Sequence, residues 1–143
     1  MPEEQRPTVS IIIKAFNEER HIAGAIESAL AALAGIGGEV ILADGASTDR
    51  TIAVAERYPI KIVRLDNAAD RSCGAGAQLG FQYSRGEFIC LMDGDMRLRR
   101  PFVAAGHLCL RIAASLAVMA PQAHRGALLR GPKLSVPTGH YLA

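Results

Sequence analysis

The sequence predicts an α/β fold: a mostly parallel sheet with helices on both faces. Three observations lead there. Four short apolar runs, residues 9–16, 39–43, 60–65 and 87–92, have the length and β-branched content of buried strands. The stretches between them carry helical periodicity or helix-capping residues, so strand and helix alternate three times, which implies βαβ units. Polar clusters directly follow three of the strands, where open parallel sheets bind their ligands.

Residues 9–16 (VSIIIKAF) are bounded by Pro7 and Asn17 and read as a strand buried on both faces. Beyond them Ile22, Ile26, Leu30 and Leu33 recur at helical spacing and form one apolar stripe. Glu18 and Glu19 fall in the expected first turn, where the helix dipole favours negative charge. Gly35, Gly37 and Gly38 end the helix. Residues 39–43 (EVILA) read as a second buried strand and Asp44-Gly45-Ala46-Ser47 as a turn. Thr48 is placed to cap a second helix running to Arg57, with Asp49 near its start. Pro59 stops that helix, and residues 60–65 (IKIVRL) are the third strand. A polar loop at 67–74 leads to a short helix at 75–84, closed by Arg85-Gly86. Residues 87–92 (EFICLM) read as a fourth buried strand, running straight into Asp93-Gly94-Asp95. Past Pro101, residues 102–119 read as an Ala/Leu-rich helix. Residues 121–143, with Pro121, Pro132 and Pro137, read as loop or disorder. The core is therefore set at residues 8–102, with an atypical basic Ala/Leu/Pro-rich tail at 103–143.

Composition narrows the class. The chain has 143 residues, enough for one domain with a real core. Half the residues are apolar, which excludes a disordered chain. The cysteines, Cys73, Cys90 and Cys109, are odd in number and widely spaced, so neither a disulfide framework nor a zinc site is expected. A reducing cytoplasm fits that usage. The first ten residues have no apolar signal core, and the run at 112–121 is too short to span a bilayer. An integral membrane protein is not expected, whereas peripheral association at the inner face of the membrane is compatible. All 14 acidic residues lie in residues 1–95, while residues 96–143 hold seven Lys/Arg and no acid. Such a split indicates two segments with different roles or histories. Arg97, Arg99 and Arg100 form a basic run that suits phosphate or anionic lipid, and equally a solvated face. No nucleic-acid partner is expected.

Asp93-Gly94-Asp95 is the sharpest chemical feature. Hard divalent cations such as Mg²⁺ or Mn²⁺ prefer oxygen ligands and bridge carboxylates to substrate phosphates. A cation there would offset the repulsion between the two carboxylates and stabilise a diphosphate leaving group. Taken alone the triplet is equally a solvated acidic turn; its position after a strand in a βαβ array favours the metal reading. Asp44 is placed to accept hydrogen bonds from a base or ribose, or to bond its own turn. Glu18 can face the same crevice or simply serve the helix dipole. Arg71 can grip a diphosphate or lie on the surface. Gly74, Gly76 and Gly80 give a G-x-G-x-x-x-G spacing, but it follows the third strand and not the first, which argues against a dinucleotide site. The four histidines are scattered without metal-ligand spacing, and Gly45-Ala46-Ser47 lacks a nucleophile elbow.

In order along the chain these pieces resemble the family 2 glycosyltransferases, which have the GT-A fold. The family's first strand ends in a Thr/Ala-x-Asn-Glu pattern, here Ala15-Phe16-Asn17-Glu18. Its second ends in an acidic-Gly-Ser-Thr-Asp-x-Thr turn, here Asp44 to Thr51. A Gly-rich helix follows, then Arg85-Gly86-Glu87-Phe88-Ile89 and the D-x-D. The resemblance covers residues 9–102. It implies a nucleoside-diphosphate sugar as donor, transfer to a glycan, lipid or small-molecule acceptor with inversion, and Mn²⁺ or Mg²⁺ as cofactor. The donor-binding residues it implies are Ala15, Asn17, Glu18, Asp44, Arg71 and Asp93, with Asp93 and Asp95 on the metal.

Departures also stand out. A single Asp44 precedes the glycine, as in an Asp-Gly-Gly-Ser subgroup whose second glycine is here Ala46. Gln78 stands where Asn is usual. Family members continue for a further acceptor-binding half with a catalytic-base carboxylate, whereas residues 96–143 contain no Asp, Glu or Trp. Deprotonating an acceptor hydroxyl needs such a group, so the base is expected to be missing. Truncation after the D-x-D strand, as a fragment or through a frameshift near residue 102, is the favoured explanation; a partner chain supplying the acceptor half is the other. On this reading the chain binds donor without turnover. A non-catalytic nucleotide-binding module and a nucleotidyltransferase are the alternatives. The latter needs a glycine-rich loop after the first strand, and residues 15–20 contain no glycine.

Overall fold

The computed structural model describes residues 6–117, with side chains as far as Leu108. Its centre is β1 (Val9–Ala15), which pairs in parallel with β2 (Gly38–Asp44) on one side and β4 (Phe88–Asp93) on the other. β3 (Lys61–Arg64) pairs in parallel with β2, giving the order β3-β2-β1-β4. A strand with neighbours on both edges and helices on both faces has no polar outlet. Ile11, Ile12 and Ile13 are accordingly at most 1% exposed, and the uninterrupted β-branched run satisfies that burial.

One face of the sheet carries Ile11, Ile13, Val40, Leu42, Ile62 and Met92, packed under α1 (Ile22–Ala32), the short α2 (Thr51–Ala55) and α4 (Arg100–Ala117). The opposite face carries Ile12, Ile41, Ala43 and Val63 under α3 (Cys73–Tyr83). Helices thus lie on both faces of a parallel sheet, as the alternation predicts. Two of the three glycines of α3 serve this packing: a side chain at Gly80 would overlap Ile12, and one at Gly76 would touch Lys14, whereas Gly74 is exposed and meets nothing of the sheet. The G-x-G-x-x-x-G spacing therefore lies inside a helix, where its last two glycines let α3 approach β1.

Several elements differ locally from the sequence expectation. Glu18 and Glu19 precede α1 and do not sit in its first turn; the Glu18 carbonyl accepts from the His21 and Ile22 N–H groups and ends the preceding turn. Thr48 does not cap α2, which starts three residues later. Asp49 instead accepts from the Thr51 N–H and hydroxyl, at 2.9 and 2.5 Å. α3 begins at Cys73 because Ser72 Oγ accepts from the Ala75 N–H at 3.0 Å. α4 starts at Arg100 and crosses residue 102, with Val103 5% exposed against the core. Residues 118–143 of the tail lie outside the described residues.

The largest correction concerns β4. It is not buried on both faces: among the described residues it is an edge strand, and Ile89 and Leu91 are 38% and 48% exposed. Their register partners Ser10 and Ile12 point to the α3 face, but α3 covers β1, β2 and β3 and leaves β4 bare. An apolar run reads alike in a central strand and in one covered on a single face.

The amino end of the sheet is closed by a polar knot. Ser10, fully buried, donates through Oγ to Glu39 Oε1 at 2.6 Å and accepts from the Gly86 N–H at 2.8 Å. Glu39 also accepts from the Arg85 N–H at 2.6 Å and pairs with Lys61 Nζ at 3.4 Å. A side chain at Gly86 would run into the Ser10 backbone, so Arg85-Gly86 is a docking turn. Burial raises the Glu39 carboxyl, but the bonds from Ser10 and Arg85 and the Lys61 charge outweigh it and hold it below its ordinary value of 4.5. A carboxyl lowered in the folded state stabilises in full above its unfolded value, and that stabilisation is lost as pH falls through the lower folded one. Glu39→Gln is expected to cost about 1–2 kcal/mol at pH 7. The gap between wild type and variant should narrow below pH 4.5 in denaturation midpoints; a gap that is flat with pH contradicts this role.

Candidate functional site

Because the strands are parallel, the segments after β1, β2 and β4 emerge at one edge. Two glycines stitch that edge together: the Gly45 N–H donates to the Ala15 carbonyl and the Gly94 N–H to the Lys14 carbonyl, both at 2.8 Å. Gly94 lies so close to β1 that a Cβ would stand 2.9 Å from Ala15 Cβ and 3.2 Å from Glu18 Cγ. The glycine of Asp93-Gly94-Asp95 thus makes room for the side chains of Ala15 and Glu18. Its two flanking carboxylates, both exposed, are held at the end of β1.

A second set of bonds ties the β1 and β2 loops. Asn17, in the left-handed region at φ 54°, accepts through Oδ1 from the Thr48 and Asp49 N–H groups at 2.8 and 3.3 Å. Its own N–H donates to Ser47 Oγ, and the Glu18 N–H donates to Thr51 Oγ1. Ala46 is also left-handed, at φ 64°, at the position where the resembling subgroup has its second glycine. The backbone keeps the glycine conformation and bears the steric cost of a Cβ.

Between the edges opens a cleft of about 390 Å³, within the range of small-ligand sites. Carboxylates of Glu18, Asp93 and Asp95 line it together with the cations Lys14 and Arg71. The Arg71 guanidinium stacks on Phe16, 3.6 Å from the ring centroid, and Nη1 lies 3.4 Å from the Gly45 carbonyl. Lys14 Nζ pairs with Asp93 Oδ1 at 2.8 Å. That hydrogen bond raises the Lys14 ammonium above its ordinary value against an opposing effect of burial. Glu18 Oε2 lies 3.0 Å from His21 Nδ1.

Of the residues singled out from sequence, Ala15, Glu18, Arg71, Asp93 and Asp95 line this cleft. Asn17 and Asp44 do not. Asn17 is spent on the loop clamp. Asp44 is fully buried beneath the floor, where Oδ2 accepts from the Ser47 N–H at 2.9 Å and stands 3.5 Å from Arg64 Nε. Its other oxygen, Oδ1, is buried without a hydrogen-bond partner, an expensive state for a carboxylate. Lys14, Phe16 and the Ser72–Cys73 start of α3 also line the cleft. A signal for Lys14 existed: it is the one charge inside the apolar run of residues 9–16.

A divalent cation fits the donor set present. Among the described residues no three His, Cys, Asp or Glu side chains gather into a metal cage. Asp93 and Asp95 instead offer exposed carboxylates beside an open cleft. Mg²⁺ and Mn²⁺ are commonly held this way, with one or two protein carboxylates and the remaining positions on phosphate and water.

A parallel sheet with helices on both faces and a mixed acid-and-base cleft at its carboxyl edge is an α/β domain of GT-A type, the fold that the solved relatives share. The model of glycosyl transferase family 2 matches residues 10–104, and the chain belongs to that family. Among curated proteins it is 38% identical over 95 residues to the succinoglycan biosynthesis protein ExoO of Rhizobium meliloti, covering 65% of this chain and 27% of that protein. It is 32% identical over 97 residues to the dodecaprenyl-phosphate galacturonate synthase of Rhizobium johnstonii, covering 62% and 28%. Among solved structures it is similar to glucosyl-3-phosphoglycerate synthase from Mycobacterium tuberculosis in complex with Mn²⁺, UDP and glucosyl-3-phosphoglycerate. That match has a TM-score of 0.61 and 25% identity over 71% of this chain and 39% of that one. S. aureus TarS shares the fold, with a TM-score of 0.58 and 24% identity over 78% of this chain and 32% of that one. The chain spans about a quarter to two fifths of the length of these proteins.

Ala46 gives a direct test of the β2 turn. Ala46→Gly relieves about 1–2 kcal/mol of left-handed strain and returns about 0.4–1 kcal/mol of backbone entropy to the unfolded chain. The variant is expected to be more stable by about 0–1.6 kcal/mol. A lower urea midpoint rejects the strain.

Proposed function

We propose that this domain binds a nucleoside-diphosphate sugar for glycosyl transfer, with Mn²⁺ or Mg²⁺ held by Asp95 together with Asp93. The observation that carries the reading is the cleft itself. Two exposed carboxylates stand at the end of β4, at the carboxyl edge of a parallel sheet, and share a ligand-sized cleft with Lys14 and Arg71. Family membership supplies the reaction class, and the Mn²⁺ and UDP bound by the solved relative support the ligand and metal.

Each wall has a part. The Phe16–Arg71 stack presents a guanidinium edge suited to phosphate oxygens. Glu18 and Asp93 offer acceptors to the hydroxyls of ribose or sugar. Asp44 joins the donor site only if its turn shifts, and its unpartnered Oδ1 supplies a reason to do so when a ligand N–H approaches. When bound, the cation supplies charge stabilisation for the departing diphosphate. Transfer itself forms a bond from an acceptor hydroxyl oxygen to the anomeric carbon, breaks the bond to the diphosphate and inverts that centre. The hydroxyl's proton must go to a base. Residues 96–143 hold no Asp or Glu, so the part proposed for this domain in that reaction is donor binding.

Titration with UDP- and GDP-sugars, with and without Mn²⁺, tests the reading. One donor is expected to bind more tightly with Mn²⁺, and Asp95→Ala to abolish that gain, a loss of about tenfold or more. Binding that ignores both metal and substitution overturns the metal assignment. No helix among the described residues is long and apolar enough to cross a membrane. A cytoplasmic site of action, in contact with the inner face of the membrane, belongs to the same proposal. Exposed Arg99, Arg100 and Phe102 at the start of α4 support it. Co-flotation with anionic vesicles, lost in neutral ones, is the expected result; no flotation with either removes the membrane contact.

A further inference from the structure

Lys14 occupies a place where a lysine is hard to accommodate. Along β1, Ser10, Ile12 and Lys14 point to the α3 face, and the first two are at most 1% exposed. The Lys14 stem continues that buried column. Its Cβ, Cγ and Cδ lie 3.5–3.7 Å from the position a Cβ on Gly76 would take, so the absence of a side chain there makes room for it. With its stem held between β1 and α3, the ammonium has one outlet, the cleft. It emerges 2.8 Å from Asp93 Oδ1, with 19% of the side chain exposed.

An ammonium has three N–H donors and no acceptor, and Asp93 engages one of them. The other two face a cleft shared with Arg71 and the start of α3. The pairing also has an electrostatic effect. Asp93 neutralised by Lys14 no longer repels an incoming anion, so of the D-x-D pair only Asp95 opposes it uncompensated.

Resting on the donor-binding reading above, we infer that Lys14 is a diphosphate anchor: it stays paired with Asp93 and gives its remaining N–H groups to the phosphate oxygens of the donor. The site then retains affinity for a nucleoside diphosphate when no divalent cation is present. A cation adds to that affinity and does not create it. The role goes to a fixed point charge on the sheet, in contrast to the loop-borne guanidinium of Arg71.

The test is calorimetric titration of the full chain with UDP and GDP, and with UMP and GMP, each in EDTA and in Mn²⁺. Wild type is expected to bind one of the diphosphates in EDTA. Lys14→Met keeps the stem and removes the charge. It should weaken that binding by about tenfold or more, and change binding of the matching monophosphate by less than about twofold. Mn²⁺ should recover part of the loss, and Lys14→Arg should retain most of the wild-type affinity. Lys14→Gln serves in place of Lys14→Met if the latter does not fold. Equal loss for mono- and diphosphate marks a packing role and overturns the assignment, as does unchanged diphosphate affinity in EDTA. Wild type that binds diphosphate only with Mn²⁺ also overturns it, yet leaves the donor-binding proposal standing. Wild type that binds no nucleotide under either condition overturns both.

Discussion

The carbonyls of Lys14 and Ala15 accept the N–H groups of Gly94 and Gly45, the first residues beyond β4 and β2. Everything at the carboxyl edge is arranged around that pair of bonds. They require both neighbouring strands to end level with β1, and they require glycine at 94, where the D-x-D turn presses on Ala15 and Glu18. The same bonds bring side chains of three strand ends into one cleft. A parallel sheet has no hairpins to set its edges in register. Here main-chain bonds beyond the strands, with the Asn17 clamp, do that at one end, and the Ser10–Glu39–Gly86 knot does it at the other.

The electrostatics follow from the same geometry. Three carboxylates gathered at one edge would repel each other if left alone. Lys14 and Arg71 stand among them, one fixed by the sheet and one by stacking on Phe16. A mixed cleft of this kind suits a ligand that is itself mixed: anionic at its diphosphate, rich in hydroxyls at its sugars, and accompanied by a cation. Asp44 is the exception. Its burial with one orphaned oxygen makes it either a fixed element of the β2 turn or a group awaiting a donor from a ligand.

Much of this could be read from residue order alone. The run of residues 9–16 announces a central strand because little else tolerates so many consecutive β-branched side chains. Asp93-Gly94-Asp95, Glu18 and Arg71 could be proposed because each follows a strand or precedes a helix of a βαβ array. Other features were closed to that reading. An apolar run does not reveal how many of its faces are covered, and so β4 reads as buried although Ile89 and Leu91 are exposed. Glu18, Glu19 and Thr48 have capping chemistry, but longer-range partners claim the backbone around them and shorten both helices at their starts.

The sequence by itself determined the class of fold, the order of its elements and the edge at which polar chemistry collects. Periodicity and turn residues are local properties, and parallel topology follows from their alternation. The tertiary structure decided which polar residues reach the cleft and which are consumed in holding it. Asn17 holds the β1 and β2 loops together, Asp44 lies buried in its turn with one oxygen unpartnered, and Lys14 lines the cleft. Such a division depends on which atoms meet across strands tens of residues apart, and that is set by register and helix packing, not by the identity of neighbours along the chain.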